Sequence, residues 1–221
     1  MATRVFPPSA ERESNRIPIF GVLMRMGLVP PFSHFFLTVL ESFGLKLLNL
    51  TPGTILDLTL FAYACEAFVG VAPSVALFRH FFYACACKEG WMGGGVTFCF
   101  RPNIKAAGYP EINIKSKWEE WRAGWFLVEV PAPSPLFDEP TEVATDQPSW
   151  TWLSCQDDEL GAAVMRFKLL HDRKVTASAI LVHFLRHRIA LLQKRPHPVW
   201  NYKGPMDPSR LDSEDMPHKL V

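Results

Sequence analysis

The run Thr51-Pro52-Gly53-Thr54-Ile55-Leu56-Asp57-Leu58-Thr59-Leu60-Phe61-Ala62-Tyr63-Ala64-Cys65-Glu66-Ala67-Phe68-Val69-Gly70 decides the fold. A threonine oxygen can take one of the orphan amides at a helix start, and proline at the first helical position loses no hydrogen bond, so Thr51-Pro52 predicts a helix from about residue 52. Gly70 and Pro73 stop it near 69. Apolar side chains fall on nearly every side of this helix (Ile55, Leu56, Leu58, Leu60, Phe61, Tyr63, Phe68), the pattern of a central buried element. Asp57, Glu66, Gly70 and Pro73 within or beside the run argue against a membrane span.

Working outward, Pro30-Pro31 and Ser33 predict an extended entry and an N-cap for a helix over 33–43, with Phe35, Phe36, Val39, Leu40 and Phe43 at helical spacing and Gly44 ending it. A third helix is expected from Ser74 to about Ala86. The period changes after Trp91: Val96–Phe100, Ile112–Lys115 and Trp125–Val130 are β-branched, aromatic or alternating runs bounded by turn residues, and predict a small antiparallel sheet. Trp118, Trp121 and Trp125 then read as packing residues on or between those runs. Five prolines between 131 and 148 mark an exposed loop. Beyond it, acids at 157–159 suit the start of a helix to about 172, and Thr176 or Ser178 caps a longer one to about 194. Its apolar side holds Ile180, Leu181, Phe184, Leu185, Leu191 and Leu192, and its polar side His183, Arg186, His187 and Lys194. The expected class is α+β, predominantly helical. An N-terminal helical cluster with a small sheet (17–130) follows a flexible start (1–16); a Pro-rich acidic loop (131–148) leads to a C-terminal helix pair packing on that core (149–204), and a polar tail (205–221) closes the chain.

With 221 residues, 48% of them hydrophobic, the chain can bury a real core, and 17 Phe and 7 Trp make that core aromatic. A formal net charge of +1 does not mark a nucleic-acid binder, so electrostatic arguments must be local. Locally the sequence is polarised. Residues 166–203 carry nine Lys or Arg against the single acid Asp172, whereas 138–159 carry seven acids and no base. One reading of the basic block is a helix whose Arg186, Arg188, Lys194 and Arg195 contact phosphates, with His187 beside them and Trp200 and Tyr202 available for stacking. The other is a solvated face or an internal match to the acidic block. Five cysteines, an odd number set mostly in apolar surroundings, read as free thiols of an intracellular, reducing compartment, cytoplasmic or nuclear.

No catalytic apparatus emerges. His183 and His187 are four apart but lack the acid of an HExxH helix, and Cys85, Cys87 and Cys99 lack paired CxxC spacing, so no metal site is expected. The triple glycine 93–95 precedes a strand and lacks the Lys-Ser/Thr ending of a phosphate cradle. Asp57 and Glu66 are the core acids, both on one helix, which does not supply the neighbouring carboxylates of a two-metal nuclease. The expectation is a non-enzyme with no cofactor, no catalytic residues and no small-molecule substrate.

Four stretches resemble a known family: Leu50–Leu56; Cys65–Val71 with Ala76–Phe82; Trp121–Val128; and Phe184–Ile189 running on through Leu192-Gln193-Lys194-Arg195-Pro196-His197-Pro198-Val199-Trp200-Asn201-Tyr202-Lys203-Gly204. In order and spacing they are similar to the plant gypsy-type transposon, or transposase, domain family across about residues 17–210. The resemblance implies descent from a plant mobile-element reading frame and brings no catalytic motif with it. Family members commonly run on into polar and coiled-coil regions, so the resemblance implies that this chain is a stand-alone or truncated copy. Its expected partners are a protein or a second copy of itself, with nucleic acid as the alternative.

Overall fold

The structure, a computed structural model, describes residues 16–86, 95–102, 108–110, 124–129, 148–151, 158–192 and 199–211. The expectations for Ile112–Lys115, Trp118, Trp121, Lys194, Arg195, residues 131–147 and the tail beyond 211 lie outside these residues.

In chain order the elements are β1 (Arg16–Phe20), α1 (Gly21–Arg25), α2 (His34–Phe43), α3 (Pro52–Tyr63, prolonged by a π-helical turn Ala64–Val69), α4 (Val75–Phe81), β2 (Phe82–Ala86), β3 (Val96–Phe100), β4 (Trp125–Glu129), α5 (Pro148–Thr151), α6 (Asp158–Asp172) and α7 (Ala177–Phe184). A second π-helical turn, Leu185–Ile189, carries α7 into α8 (Ala190–Leu192). The fold is predominantly helical α+β, with small antiparallel sheets.

The helix starts follow from capping chemistry. Ser33 Oγ accepts from Phe36 N–H at 3.1 Å, Thr51 Oγ1 from Thr54 N–H at 3.2 Å, Ser74 Oγ from Leu77 N–H at 3.2 Å and Thr176 Oγ1 from Ala179 N–H at 3.2 Å. Gly44 closes α2 in the left-handed conformation, at φ 63°. The end of the third predicted helix needs correction. It stops at Phe81, because Phe82–Ala86 pairs antiparallel with Val96–Phe100, Phe82 opposite Phe100 and Ala86 opposite Val96. Long-range pairing there overrides local helical spacing. One predicted sheet becomes two: β4 pairs with β1, Phe20 opposite Trp125, a strand that the sequence reading did not assign.

α3 lies at the centre. It is the described helix long and apolar enough to cross a membrane by composition, and 89% of that 18-residue window is covered by protein. Phe61 makes an edge contact with Phe78 (5.1 Å between centroids) and stacks on Phe167 of α6 (5.9 Å); Phe78 stacks on Phe82 (4.7 Å) and meets Phe98 edge-on (4.7 Å). Phe43, Phe61, Phe78, Phe81, Phe82, Phe167 and Phe184 are all essentially inaccessible. Each such side chain contributes about 1.5–3 kcal/mol of burial, so helices on both sides of residues 131–147 share one core. Trp150 of α5 joins it, donating Nε1–H to Phe43 O at 2.9 Å.

Candidate functional site

The last long helix decides how much of the basic block reaches solvent. Ile180 and Phe184 are buried, and four residues on stands Arg188, only 5% exposed. Its spacing continues the apolar face, and the surrounding π-helical turn carries the guanidinium into the protein. Nη1 donates to Val199 O; Nη2 donates to Glu66 Oε2 at 3.0 Å, Asp207 Oδ1 at 3.2 Å and Ser209 Oγ at 2.9 Å. The guanidinium carbon lies 5.6 Å from the centroid of the Tyr63 ring. As a phosphate contact Arg188 is therefore corrected: all of this is inside.

Glu66 sits on the π-helical turn of α3, so the two wide turns of the fold face each other through an ion pair. Asp207 is the better-supported carboxylate. Burial works against its charge, but Ser209 Oγ–H at 2.6 Å, Ser209 N–H at 2.9 Å, Lys203 N–H at 3.0 Å and Arg188 outweigh it and hold its pKa below the usual value. Glu66 has Arg188 without that set of amides, and burial pushes it up to about 7. Arg188 is thus balanced chiefly by Asp207.

The chain after α8 completes the fastening. Arg210 Nη1 donates to Ala67 O and Phe68 O, both at 2.9 Å, Leu211 N–H donates to Ala67 O, and Arg166 Nη1 donates to Val69 O at 3.1 Å. These donors satisfy the orphan carbonyls at the end of α3. Gly70, at φ 78°, lies so close to the Arg210 guanidinium that a Cβ would meet it at 2.6 Å. The start of the predicted polar tail is therefore a packed strap, in which Asp207 and Ser209 are buried.

The two aromatics proposed for stacking are also committed. Trp200 stacks on Phe184 at 5.4 Å and donates Nε1–H to Gly27 O at 3.0 Å. It borders an apolar crevice with Gly27, Phe32, Phe36, Leu58 and Thr59. Tyr202 is half-buried, and its hydroxyl is buried without a hydrogen-bond partner among the described residues. Arg186 and His187 are exposed, as expected. His183, placed on the polar side from sequence, is buried instead: Tyr63 Oη lies 2.7 Å from its Nδ1, and its ring stacks on His187 at 4.0 Å. Burial first, then neighbouring His187 and Arg186, lowers its pKa to about 4. Asp57, half-buried on α3, is pushed up to about 7 by burial.

Among the described residues no group of three His, Cys, Asp or Glu is placed to hold a metal ion. The outer surface is built differently. On α6, Met165 and Leu169 are 59% and 54% exposed, beside exposed Arg166 and Lys168; on the last helix Val182 and Leu185 are 40% and 38% exposed, beside Arg186. Sequence reading missed these apolar positions, which periodicity assigned to no face or to the core.

No curated protein and no solved structure matches the chain. A family model does match from β1 through α2, α3 and α4 to β2, and so covers the central helix and Glu66 but not Arg188 or α6. Residues 19–86 match the model of the family described as "Putative gypsy type transposon", a match consistent with a transposon-derived domain.

Proposed function

We propose that this chain is a non-enzymatic, transposon-derived plant protein that acts inside the cell by binding, as a protein-interaction or self-association module. The observation that carries this reading is the division of its charged and apolar groups. Arg188, paired with two carboxylates, is enclosed in the core, while large apolar side chains stand exposed on the C-terminal helices. Exposed apolar side chains rimmed by charge are the pattern of a surface that docks protein. Light scattering of the full chain across a concentration series, with crosslinking and pull-down from plant extract, tests it. A complex of defined mass is expected; a strict monomer with no reproducible partner would sink the reading.

Nucleic-acid binding is the second reading, favoured by exposed Arg186 beside His187 one turn from Val182. Lys194 and Arg195 lie outside the described residues, and Arg188 and Trp200 are taken up by internal contacts. A gel shift at low salt that disappears as salt rises, and that Arg186→Gln weakens, is its signature.

A further inference from the structure

The outer face of the β2–β3 pair carries two thiols. Tyr83 lies opposite Cys99 and Cys85 opposite Thr97, so these four side chains share one face, while Phe82, Ala84, Val96 and Phe98 of the other face are buried. Cys85 and Cys99 are half-buried, and neither is in a disulfide. Spacing along the chain conceals the pair, because only strand pairing brings the two residues together. The face beneath them is anchored: Phe82 stacks on Phe78 at 4.7 Å, and Phe98 meets Phe78 at 4.7 Å and Phe43 at 5.3 Å, both edge-on. The Tyr83 hydroxyl stands beside both sulfurs. Its hydrogen bond with Cys85, then the charges of Cys85 and Cys99, hold its pKa above the usual value. Arg101, whose guanidinium donates to Arg79 O at 2.6 Å and Thr151 O at 3.1 Å, acts electrostatically on Tyr83. A cation and a phenol donor at this place favour the thiolate, the form of cysteine that binds metal.

We infer that Cys85 and Cys99 form a two-thiol site for a soft monovalent metal ion, of which Cu(I) is the type, on the outer face of the β2–β3 pair. Spacing selects a bridging ion over a disulfide. Residues diagonally opposed across an antiparallel pair stand about 7–8 Å apart, whereas a disulfide needs its Cα atoms within about 4.4–6.8 Å. A metal–sulfur bond of about 2.3 Å on each side makes up the difference. The ligand set then selects the ion. Hard cations such as magnesium and calcium want oxygen donors, and thiolates suit soft ions. Structural zinc wants four ligands, and among the described residues no third Cys, His, Asp or Glu joins these two. Cu(I) accepts two thiolates in line, so two sulfurs on one strand face complete its shell. Binding releases the two thiol protons and leaves copper and sulfur in their oxidation states.

The probe is Cu(I) itself, presented without oxygen to the reduced full chain as its complex with the chromogenic chelator bicinchoninate. The chain should withdraw one equivalent, which Cys85→Ser and Cys99→Ser each abolish and which Cys87→Ser and Cys155→Ser leave in place. Copper X-ray absorption on the wild-type complex should show two sulfur neighbours and no nitrogen. That readout needs no variant, so it stands even where a substitution disturbs the strands. Zn(II) at equal concentration should leave the copper bound. Failure to withdraw copper, or withdrawal that both serine variants at 85 and 99 keep, overturns the inference. So does a third sulfur in the absorption spectrum, which would bring another thiol into the site, and so does zinc that displaces the copper. Brief peroxide treatment followed by peptide mapping supplies the remaining check. Two uncrosslinked cysteines are expected; a peptide joined through Cys85 and Cys99 would put the sulfurs at bonding distance and replace the metal site with a redox pair. Neither result touches the interaction reading, since Cys85 lies on β2 and Cys99 on β3, away from the C-terminal helices that carry it.

Discussion

Arg188 and Lys168 belong to the same basic block, twenty residues apart in a span with one acid, and the fold treats them in opposite ways. Arg188 lies in the core between Glu66 and Asp207; Lys168 has its Cα, Cβ and Cγ against Gly108 and is exposed. Linear charge density therefore does not say which cations are available. Helix phase does: Arg188 stands four residues after buried Phe184, whereas Lys168 follows buried Phe167 and points away from it. The contrast separates cations that hold the protein together from cations that can meet a partner, and it can be broken experimentally.

The largest expected effect is at Arg188. Replacing it with alanine strands two carboxylates in the core, and breaking a buried pair in this way costs about 3–5 kcal/mol. Urea denaturation followed by circular dichroism should show a loss of that size. Adding Glu66→Gln and Asp207→Asn should restore part of it, because the three groups are in contact and their effects do not add. A loss under about 1 kcal/mol would mean that the cluster is no more than a surface ion pair.

Next is the pH dependence at His183. Unfolded, it binds a proton near 6.5; folded, only near 4. Between those values the unfolded state carries more protons, so its contribution is complete above pH 6.5 and disappears as pH falls to 4. Glu66 and Asp57 act with the opposite sign. Both are pushed up to about 7, so each weakens the fold as pH rises from its unfolded value toward 7. The difference in stability between wild type and His183→Phe isolates the histidine, and should rise with pH from 4 to 6.5. A ring-proton titration that places His183 near 6.5 would contradict its burial. Tyr63→Phe is smaller. Removing the hydroxyl 2.7 Å from His183 Nδ1 leaves that nitrogen without its partner, at a cost of about 1–2 kcal/mol.

Much of this fold was legible in the sequence because its signals are local. Ser33, Thr51-Pro52, Ser74 and Thr176 cap the helices that they predicted, since a cap needs only a hydroxyl and an amide three residues on. What failed depended on distant chain. Phe82–Ala86 is a strand because Val96–Phe100 lies beside it, and Arg16–Phe20 is one because Trp125–Glu129 does. The core cluster was half-legible. Arg188 at the spacing of Ile180 and Phe184, and Glu66 within an otherwise apolar run, are two charges on apolar faces, and each implies a buried partner. Asp207 and Ser209 gave no such sign, because only the fold brings the strap back across the end of α3.

The smallest effect on stability is the one that most sharpens the contrast. Lys168→Ala and Met165→Ala remove side chains that stand in solvent, so each should change unfolding free energy by less than about 0.5 kcal/mol, within the usual range for surface substitutions. Paired with Arg188→Ala on the same urea axis, they give one basic block two responses differing by several kcal/mol. The decisive feature is the reversal under a different measurement. Met165→Ala, nearly silent in unfolding, should weaken self-association or capture of a protein partner, because an anchor at the centre of a small interface carries a large share of its energy. Should Met165→Ala unfold the chain as readily as Arg188→Ala, α6 would be using its outer face for the fold, and the division between holding cations and meeting cations would fall with it.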